Sequence, residues 1–480
     1  MGCQMNVLDS ELVAGQLRQA GFAQVDTPDQ ADVVLINTCS VRGHAEMKAL
    51  SRAGHFKRPK QQNPDLIVGV MGCMAQRDPE GILAKVPHVD LICGPGELHK
   101  IPAMIDEIRA TRARLTALST NQSRQGSLLE RAGQVNSLDA LDLSRDPAPG
   151  QRVLQSYIRV QRGCDKFCTF CVVPFTRGPE RSRSPGQIVD EARMLVDRGA
   201  KEITLLGQTV NSYLHTDDGQ AVRFSDLLER VQAVDGLERL RFVTSYPGDF
   251  TPDIFEAMRD LPALCEYLHL PVQSGSNAVL RRMRRQYDVA RFNELLDRGQ
   301  EIVPGITYAS DFIVGFCGET EAEFAETVSL VERSAFKNIF VFKYSQRPDT
   351  VAQKRSVDDV PQADKKRRNN ELLAVQERIS LTHNQTLIDR TVEVLVEGYS
   401  KAAIKAQEAE QTRGGEVGWR RSDQLVGRTR GDQIVVFTGQ PEQIGCLVSI
   451  RVTGATALTL FGNIIEAPAT DESASLPVLA

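Results

Sequence analysis

At 480 residues, 41% of them hydrophobic and 25% charged, the chain exceeds one ordinary domain and reads as two to four soluble globular ones. A net charge of −5 excludes a global basic field, so any nucleic-acid contact must come from local patches. Ten cysteines are too few for a disulfide scaffold, no apolar run nears the roughly 18 residues of a membrane span, and the start lacks a basic-then-apolar leader. A cytoplasmic protein is expected, and clustered cysteines there bind metal or do redox chemistry.

Residues 1–109 alternate helix and strand patterns. LDSELVAGQLRQAG has the periodicity of an amphipathic helix ending at Gly21, ADVVLINT reads as a buried strand, and AEMKALSRAGHFK as a helix. LIVGVMG and VDLIC are two further buried strands. Short apolar strands alternating with helices imply a doubly wound parallel sheet, whose ligands gather beyond the carboxyl ends of the strands. Cys39 and Cys73 each follow such a strand directly, and MGC occurs twice, at Cys3 and at Cys73. Cys3 fits the same pattern if the strand expected ahead of it is short or missing. The competing reading is three small, readily buried side chains at strand ends by chance.

Residues 110–150 are polar, weakly periodic and close on Pro147, Pro149 and Gly150, as a linker with one short helix would. From 151 to 382, six strand patterns (SYIRVQ, KEITLLG, RLRFVTS, EYLHLPVQ, YASDFIVGF and NIFVFKYS) alternate with helical segments. Six βα units fall short of a closed eight-unit barrel, so a partial barrel is expected, followed by a basic helix over 361–386. Five short β segments in 383–467 suggest a small β-barrel with a polar loop inserted at 401–422, and 468–480 reads as a disordered tail.

The sharpest signal is GCDKFCTFCVVP, which places Cys164, Cys168 and Cys171 just after the first strand of the expected partial barrel. A structural zinc site takes four ligands, usually with a second cysteine or histidine pair, and the seven histidines are scattered. A 4Fe–4S cluster normally takes four thiolates. Three leave one iron open to a ligand that is not protein, which is the arrangement of radical S-adenosylmethionine enzymes. Zinc and simple buried thiols are the alternatives.

GCDKFCTFCVVPFTRGPERSRSP, with NTCSVR, GVMGCMAQR, LLGQTVNSY, RFVTSYP and LHLPVQSGS, resembles the methylthiotransferase branch of the radical S-adenosylmethionine family over nearly the whole chain. The resemblance implies a mixed α/β fold in three parts: an amino-terminal doubly wound sheet, a partial (βα)6 core and a carboxyl-terminal RNA-binding TRAM barrel. It implies two 4Fe–4S clusters, an auxiliary one on Cys3, Cys39 and Cys73 and one on Cys164, Cys168 and Cys171 that binds S-adenosylmethionine. The implied reaction replaces the hydrogen on carbon-2 of N6-(dimethylallyl)adenosine beside the anticodon of tRNA with a methylthio group. It uses two S-adenosylmethionine per turnover, an electron donor of flavodoxin or ferredoxin type and a sulfur source, in a monomer without membrane contact. Threonylcarbamoyl-adenosine or a ribosomal-protein aspartate are the alternative substrates, and an idle iron–sulfur RNA-binding module is the non-enzymatic one. Two departures stand out: only Met1 and Gly2 precede Cys3, and GFCGET carries Cys317 where the family has proline.

Position and resemblance together make Gln208 the candidate for the methionine end of S-adenosylmethionine, and Gln273, Ser274 and Gly315 candidates for its adenosine end; ordinary turn residues are the alternative. Local charge makes Arg177, Arg181 and Arg183 candidate RNA contacts, with further basic patches at Arg281–Arg285 and Lys365–Arg368. Trp419, beside two arginines, is a candidate for stacking on a base or for packing.

Overall fold

The computed structural model describes residues 2–40, 43–119, 139–142, 145, 153–413 and 423–466. The first strand pattern lies on β1 (Val33–Thr38), the second on β2 (Ile67–Gly72) and the third on β3 (Leu91–Cys93). They pair in parallel in the order β1-β2-β3, and β4 (Leu115–Ala117) extends the sheet. Helix α1 (Gln4–Gln19) precedes β1, α2 (Gly43–His55) follows it, a short α3 (Cys73–Arg77) follows β2, and α4 (Ile101–Thr111) lies between β3 and β4. β4 falls inside the segment read as linker. A three-residue strand with one half-exposed face has too little pattern to be seen in sequence.

Six parallel strands then follow: β5 (Gln155–Arg159), β6 (Glu202–Leu206), β7 (Arg239–Phe242), β8 (Tyr267–His269), β9 (Thr307–Val314) and β10 (Asn338–Lys343). They pair as β5-β6-β7 and β8-β9-β10, with a parallel bridge from Leu240 to Leu264 joining the halves. The result is the expected partial (βα)6 barrel, open between β5 and β10. After β5 comes a single turn, α5 (Val173–Thr176), and then the outer helices α6 (Pro185–Asp197), α7 (Phe224–Gln232), α8 (Pro252–Asp260), α9 (Val289–Ile302) and α10 (Glu321–Ser334). The start of α10 shows why GETEAE begins a helix. Thr320 Oγ1 accepts from the Glu323 amide at 3.2 Å, and the Glu323 carboxylate accepts from the Thr320 amide at 2.8 Å.

Strand alternation divides the core in two. Outward residues such as Ile158, Leu205, Phe242 and Phe312 pack with Leu195, Leu227, Phe255 and Leu296 of the outer helices. Inward residues Leu206, Val243, Tyr267 and Ala309 share a cluster with Met5, Leu8 and Leu12 of α1. The helix that begins just after Cys3 therefore fills part of the open barrel.

A buried ionic network ties the same helix down. Asp9, fully buried, pairs with Arg159 at 2.8 Å and Arg177 at 2.9 Å. Arg159 and Arg162 also pair with Asp142, whose carboxylate lies 3.3 Å from the Arg183 Nε, and Arg183 pairs with Glu191 at 2.8 Å. Asp142 and Arg145 belong to the segment read as linker, yet both are buried. Burial pushes the Asp142 carboxyl up, but Arg159, Arg162 and Arg183 outweigh it and hold it well below the usual carboxylate range.

The basic helix α11 (Gln362–Gln385) leads to a closed five-stranded barrel of β11 (Thr391–Tyr399), β12 (Gln424–Arg428), β13 (Ile434–Thr438), β14 (Leu447–Ala455) and β15 (Thr459–Glu466). The inserted segment begins as helix α12 (Lys401–Arg413) rather than a polar loop. Its alanine-rich start, KAAIKAQEA, favours helix, and Ala403 and Ala406 are fully buried. The β12–β13 turn caps the amino ends of the core strands: Arg241 donates to the Thr429 and Arg430 carbonyls at 2.7 and 2.9 Å, and Arg430 pairs with Glu266 at 2.8 Å. The small barrel thus sits opposite the carboxyl ends where the cysteines gather. Among the described residues no helix is long and apolar enough to cross a membrane. Trp419 and the tail 468–480 lie outside the described residues.

Candidate functional site

Thr38 and Gly72 end β1 and β2 side by side in the ladder, so Cys39 and Cys73, both buried, leave the sheet together. Gly72 has φ +99°, and a Cβ there would meet the Thr38 carbonyl oxygen at 2.7 Å, so the MGC turn requires glycine. Cys3 reaches the same place from α1, whose N-cap it forms. Two hydrogen bonds hold it there: Asn6 Nδ2 donates to Asn37 Oδ1 at 2.7 Å, and Asn37 Nδ2 donates to the Asn6 carbonyl at 2.8 Å. A side-chain hydrogen bond with Cys39 is the main reason that the Cys3 thiol is lowered to about 6, against the opposing effect of burial; Arg177 adds to the lowering. Burial pushes Cys73 up, and Arg177 is hydrogen-bonded to it.

The second trio hangs on the loop after β5. Gly163 starts it at φ +68°, with no room for a Cβ against the Pro179 carbonyl, and Phe167 also takes a positive φ of 48°. The Cys171 amide donates to the Cys168 carbonyl at 3.1 Å, and the Cys171 sulfur accepts from the Val173 amide at 3.5 Å. Arg285 Nη1 donates to the Cys168 sulfur at 3.4 Å, while Nη2 donates to the Pro271 carbonyl at 2.7 Å. Its guanidinium lies over Tyr246 and Tyr287, at 4.7 and 5.0 Å from the ring centroids. Phe170 anchors the loop edge-on to Phe316, 6.4 Å between centroids, in a cluster that also takes in Cys317 and Tyr344. Cys317 is thus a packed thiol behind the loop. Burial raises Cys164 to about 11 and Cys171 further.

One turn of helix connects the two trios. α5 follows Cys171, packs on α3 that carries Cys73, and ends at Arg177, which touches Cys73 and Asp9. No cysteine is in a disulfide, and no three His, Cys, Asp or Glu donors among the described residues are placed to hold a single metal ion.

The other sequence candidates fall in different places. Gln208, after β6, and Gln273, with φ +77°, are half-buried. Gln273 prolongs β8: its amide donates to the Asp311 carbonyl and its own carbonyl accepts from Ile313, both at 2.9 Å. Ser274 is fully buried, its hydroxyl 3.3 Å from Thr327 Oγ1 and accepting from the Ser276 amide. The Gly315 amide donates to Glu319, and its Cα packs on Lys365. The Ser274 hydroxyl and the Gly315 amide are thus engaged by other groups of the protein.

The RNA candidates also need correction. Arg177 and Arg183 are buried in the ionic network, so neither guanidinium faces a phosphate. Lys365 and Arg368 are buried too, against Asp358 and Glu319. Arg181 is half-buried on a two-residue strand, and Arg281 and Arg284 are exposed. What sequence reasoning missed at the site is Asp9 and Arg285. Asp9 carries no spacing signal, and Arg285 is one member of the RRMRR run read as a basic patch.

Residues 158–331 match the radical SAM superfamily, residues 1–94 the Uncharacterized protein family UPF0004 and residues 415–465 the TRAM domain. The structure is similar to a radical S-adenosylmethionine methyltransferase, TsrM, from Kitasatospora setae, with TM-score 0.55 and 16% identity over 72% of this chain and 73% of that one, a likeness of fold. Fold, cysteine loop and family match make the core that of a radical S-adenosylmethionine enzyme, a class that uses S-adenosylmethionine and a 4Fe–4S cluster. Across its length the chain is 48% identical to the tRNA-2-methylthio-N(6)-dimethylallyladenosine synthase of Rhodopirellula baltica, over 97% of this chain and 94% of that protein. It is 41% identical to the enzyme of the same name from Moorella thermoacetica, over 97% of each. The chain belongs to the tRNA-2-methylthio-N(6)-dimethylallyladenosine synthase family.

Proposed function

We propose that this chain installs a methylthio group on carbon-2 of N6-(dimethylallyl)adenosine beside the anticodon of tRNA, using two 4Fe–4S clusters. The observation that carries the reading is the pair of cysteine trios joined through α5 and Arg177. Cys164, Cys168 and Cys171 hold the cluster that binds S-adenosylmethionine; Cys3, Cys39 and Cys73 hold an auxiliary one for sulfur delivery. A three-thiolate 4Fe–4S cluster with S-adenosylmethionine supplies one-electron cleavage chemistry able to remove hydrogen from an unactivated C–H bond, which general acid–base catalysis at about 10²–10⁴-fold does not reach. The protein's part is to position and to exclude water. Phe170 fixes the cysteine loop, Arg285 balances the thiolate charge at Cys168, and Arg177 does the same at Cys73. The reading takes two S-adenosylmethionine per turnover, a flavodoxin- or ferredoxin-like electron donor and a sulfur source, in a cytoplasmic monomer. Gln208 is retained as a contact to the methionine end of the cofactor, and the half-buried Gln273 as one to its adenosine end.

Nucleoside analysis of tRNA from a strain lacking this gene tests it. The 2-methylthio nucleoside should vanish and N6-(dimethylallyl)adenosine accumulate; persistence of the methylthio form with no second enzyme able to make it overturns the reading. Arg285 gives a narrower test. Removing a half-buried positive charge beside a cluster thiolate favours the oxidised, less negative state. Arg285→Met is therefore expected to shift the midpoint of the S-adenosylmethionine-binding cluster to more negative potential in an EPR-monitored titration, with the auxiliary signal unmoved. An unchanged or more positive midpoint sinks the role given to this guanidinium.

A further inference from the structure

The inward face of β9 reads, from one end to the other, Thr307, Ala309, Asp311 and Ile313, because alternate residues share a side. Ala309 lies in the cluster with α1, and Ile313 packs in the cluster with Phe170 of the cysteine loop. Asp311 occupies the layer between them, with 26% of its side chain exposed. The neighbouring strands add to the same layer. The ladder sets Phe340 of β10 beside Asp311, and His269 follows the α1-packed Tyr267 by two residues on β8. Phe340 is 45% exposed although it lies on the inner face, beside the barrel's open side. His269 meets its ring edge-on, centroids 6.3 Å apart at 81°.

The polar groups of this layer are not satisfied by one another. His269 Nε2 is 3.4 Å from Asp311 Oδ1 without forming a hydrogen bond, and it is buried with no partner. The Ser245 hydroxyl, on the residue whose amide donates to the His269 carbonyl at 3.1 Å, is likewise buried and unpartnered. Unpaired buried polar groups destabilise a fold, so two of them beside an exposed aromatic mark a place where a polar, flat ligand completes the set.

We infer that His269, Asp311 and Phe340 form the seat of the substrate base, reading the edge of an N6-alkylated adenine. This rests on the methylthiotransferase reading above and specifies its substrate contact. With the alkyl group turned to the N7 side, the edge presents N1, an acceptor, beside the one N–H left on N6 after alkylation. A histidine ring N–H donates to the first, a carboxylate accepts from the second, and the Phe340 ring covers a face of the base. Carbon-2 is bonded to N1, so fixing this edge fixes the carbon to be modified between the α1 layer and the cysteine loop. A carboxylate substrate, such as a protein aspartate, would face Asp311 with like charge. S-Adenosylmethionine carries an adenine with the same edge, so the test separates the two sources.

Reconstituted full-length enzyme is assayed with an anticodon stem-loop RNA containing N6-(dimethylallyl)adenosine, as wild type, His269→Leu, His269→Gln and Asp311→Asn. The leucine and asparagine variants should keep their iron content and their affinity for S-adenosylmethionine, while KM for the RNA rises about tenfold. The ratio of 5′-deoxyadenosine to methylthiolated nucleoside should rise with it, because cleavage proceeds without a held base. His269→Gln, whose amide can still donate, should recover part of the loss; a merely structural histidine would not show this split. RNA KM within twofold of wild type, or an equal loss of S-adenosylmethionine affinity, overturns the assignment. A wild-type enzyme that leaves this RNA unmodified removes the methylthiotransferase reading itself, and the seat falls with it.

Discussion

Cys73→Ala should abolish methylthiolation while leaving reductive cleavage of S-adenosylmethionine in place. Cys73 opens α3 and is buried beside Cys3, Cys39 and Arg177, whereas the thiols assigned to S-adenosylmethionine cleavage lie on the loop after β5. A serine-sized or smaller side chain fits the same turn, because Gly72 and not the thiol accounts for the backbone geometry. Anaerobic reconstitution of the variant should lose about four of roughly eight irons. Liquid chromatography of the reaction should show 5′-deoxyadenosine at near the wild-type rate, with methylthiolated nucleoside reduced at least about a thousandfold. Equal loss of both products would mean that the two trios do not act as separate sites.

Asp142→Ala should be the most destabilising single change in the ionic network. Asp142 is 1% exposed and faces Arg159, Arg162 and Arg183, so its removal leaves three guanidiniums buried with too few acids. Breaking a buried pair typically costs 3–5 kcal/mol, and here the uncompensated charge is larger than in a single pair. A fall of about 10 °C in the thermal midpoint is expected by calorimetry. Because the folded carboxyl titrates below its unfolded value, the stabilisation it gives is complete above the ordinary carboxylate range. It is lost only as pH falls through that range toward the folded value. The difference in midpoint between wild type and variant should therefore be constant around neutrality and narrow in acid; a difference under 2 °C at pH 7 would show the network to be unimportant.

The elements that matter most for the site are the ones with local signals. Each of the six core strands is a short apolar run bounded by turn residues, and each occurs where its pattern places it. The cysteine spacing around Cys164, Cys168 and Cys171 fixes a loop after a strand, and the repeated MGC fixes two approaches to one crevice. Within 110–150, the linker reading does not foresee that Asp142 and Arg145 are buried, for a specific reason. The segment's polar residues look like solvated chain, but Asp142 and Arg145 are polar because they meet buried partners from elsewhere. The arginines were misassigned in the same way. Arg177 meets Asp9 across 168 residues, and nothing near either one in sequence announces the other. His269, Asp311 and Phe340 come from three strands; LHLPVQSGS contains His269, but nothing in it points to Asp311 or Phe340.

From its sequence alone this chain declares its strands and helices, its two cysteine trios and its family, because each is written in spacing over a few residues. Only the tertiary structure decides that α1 fills the open barrel, that Arg177 and Arg183 are buried, and that Arg285 touches Cys168. A charged side chain has the same local pattern in water as in a buried pair, and which it becomes depends on the partner that folding brings to it.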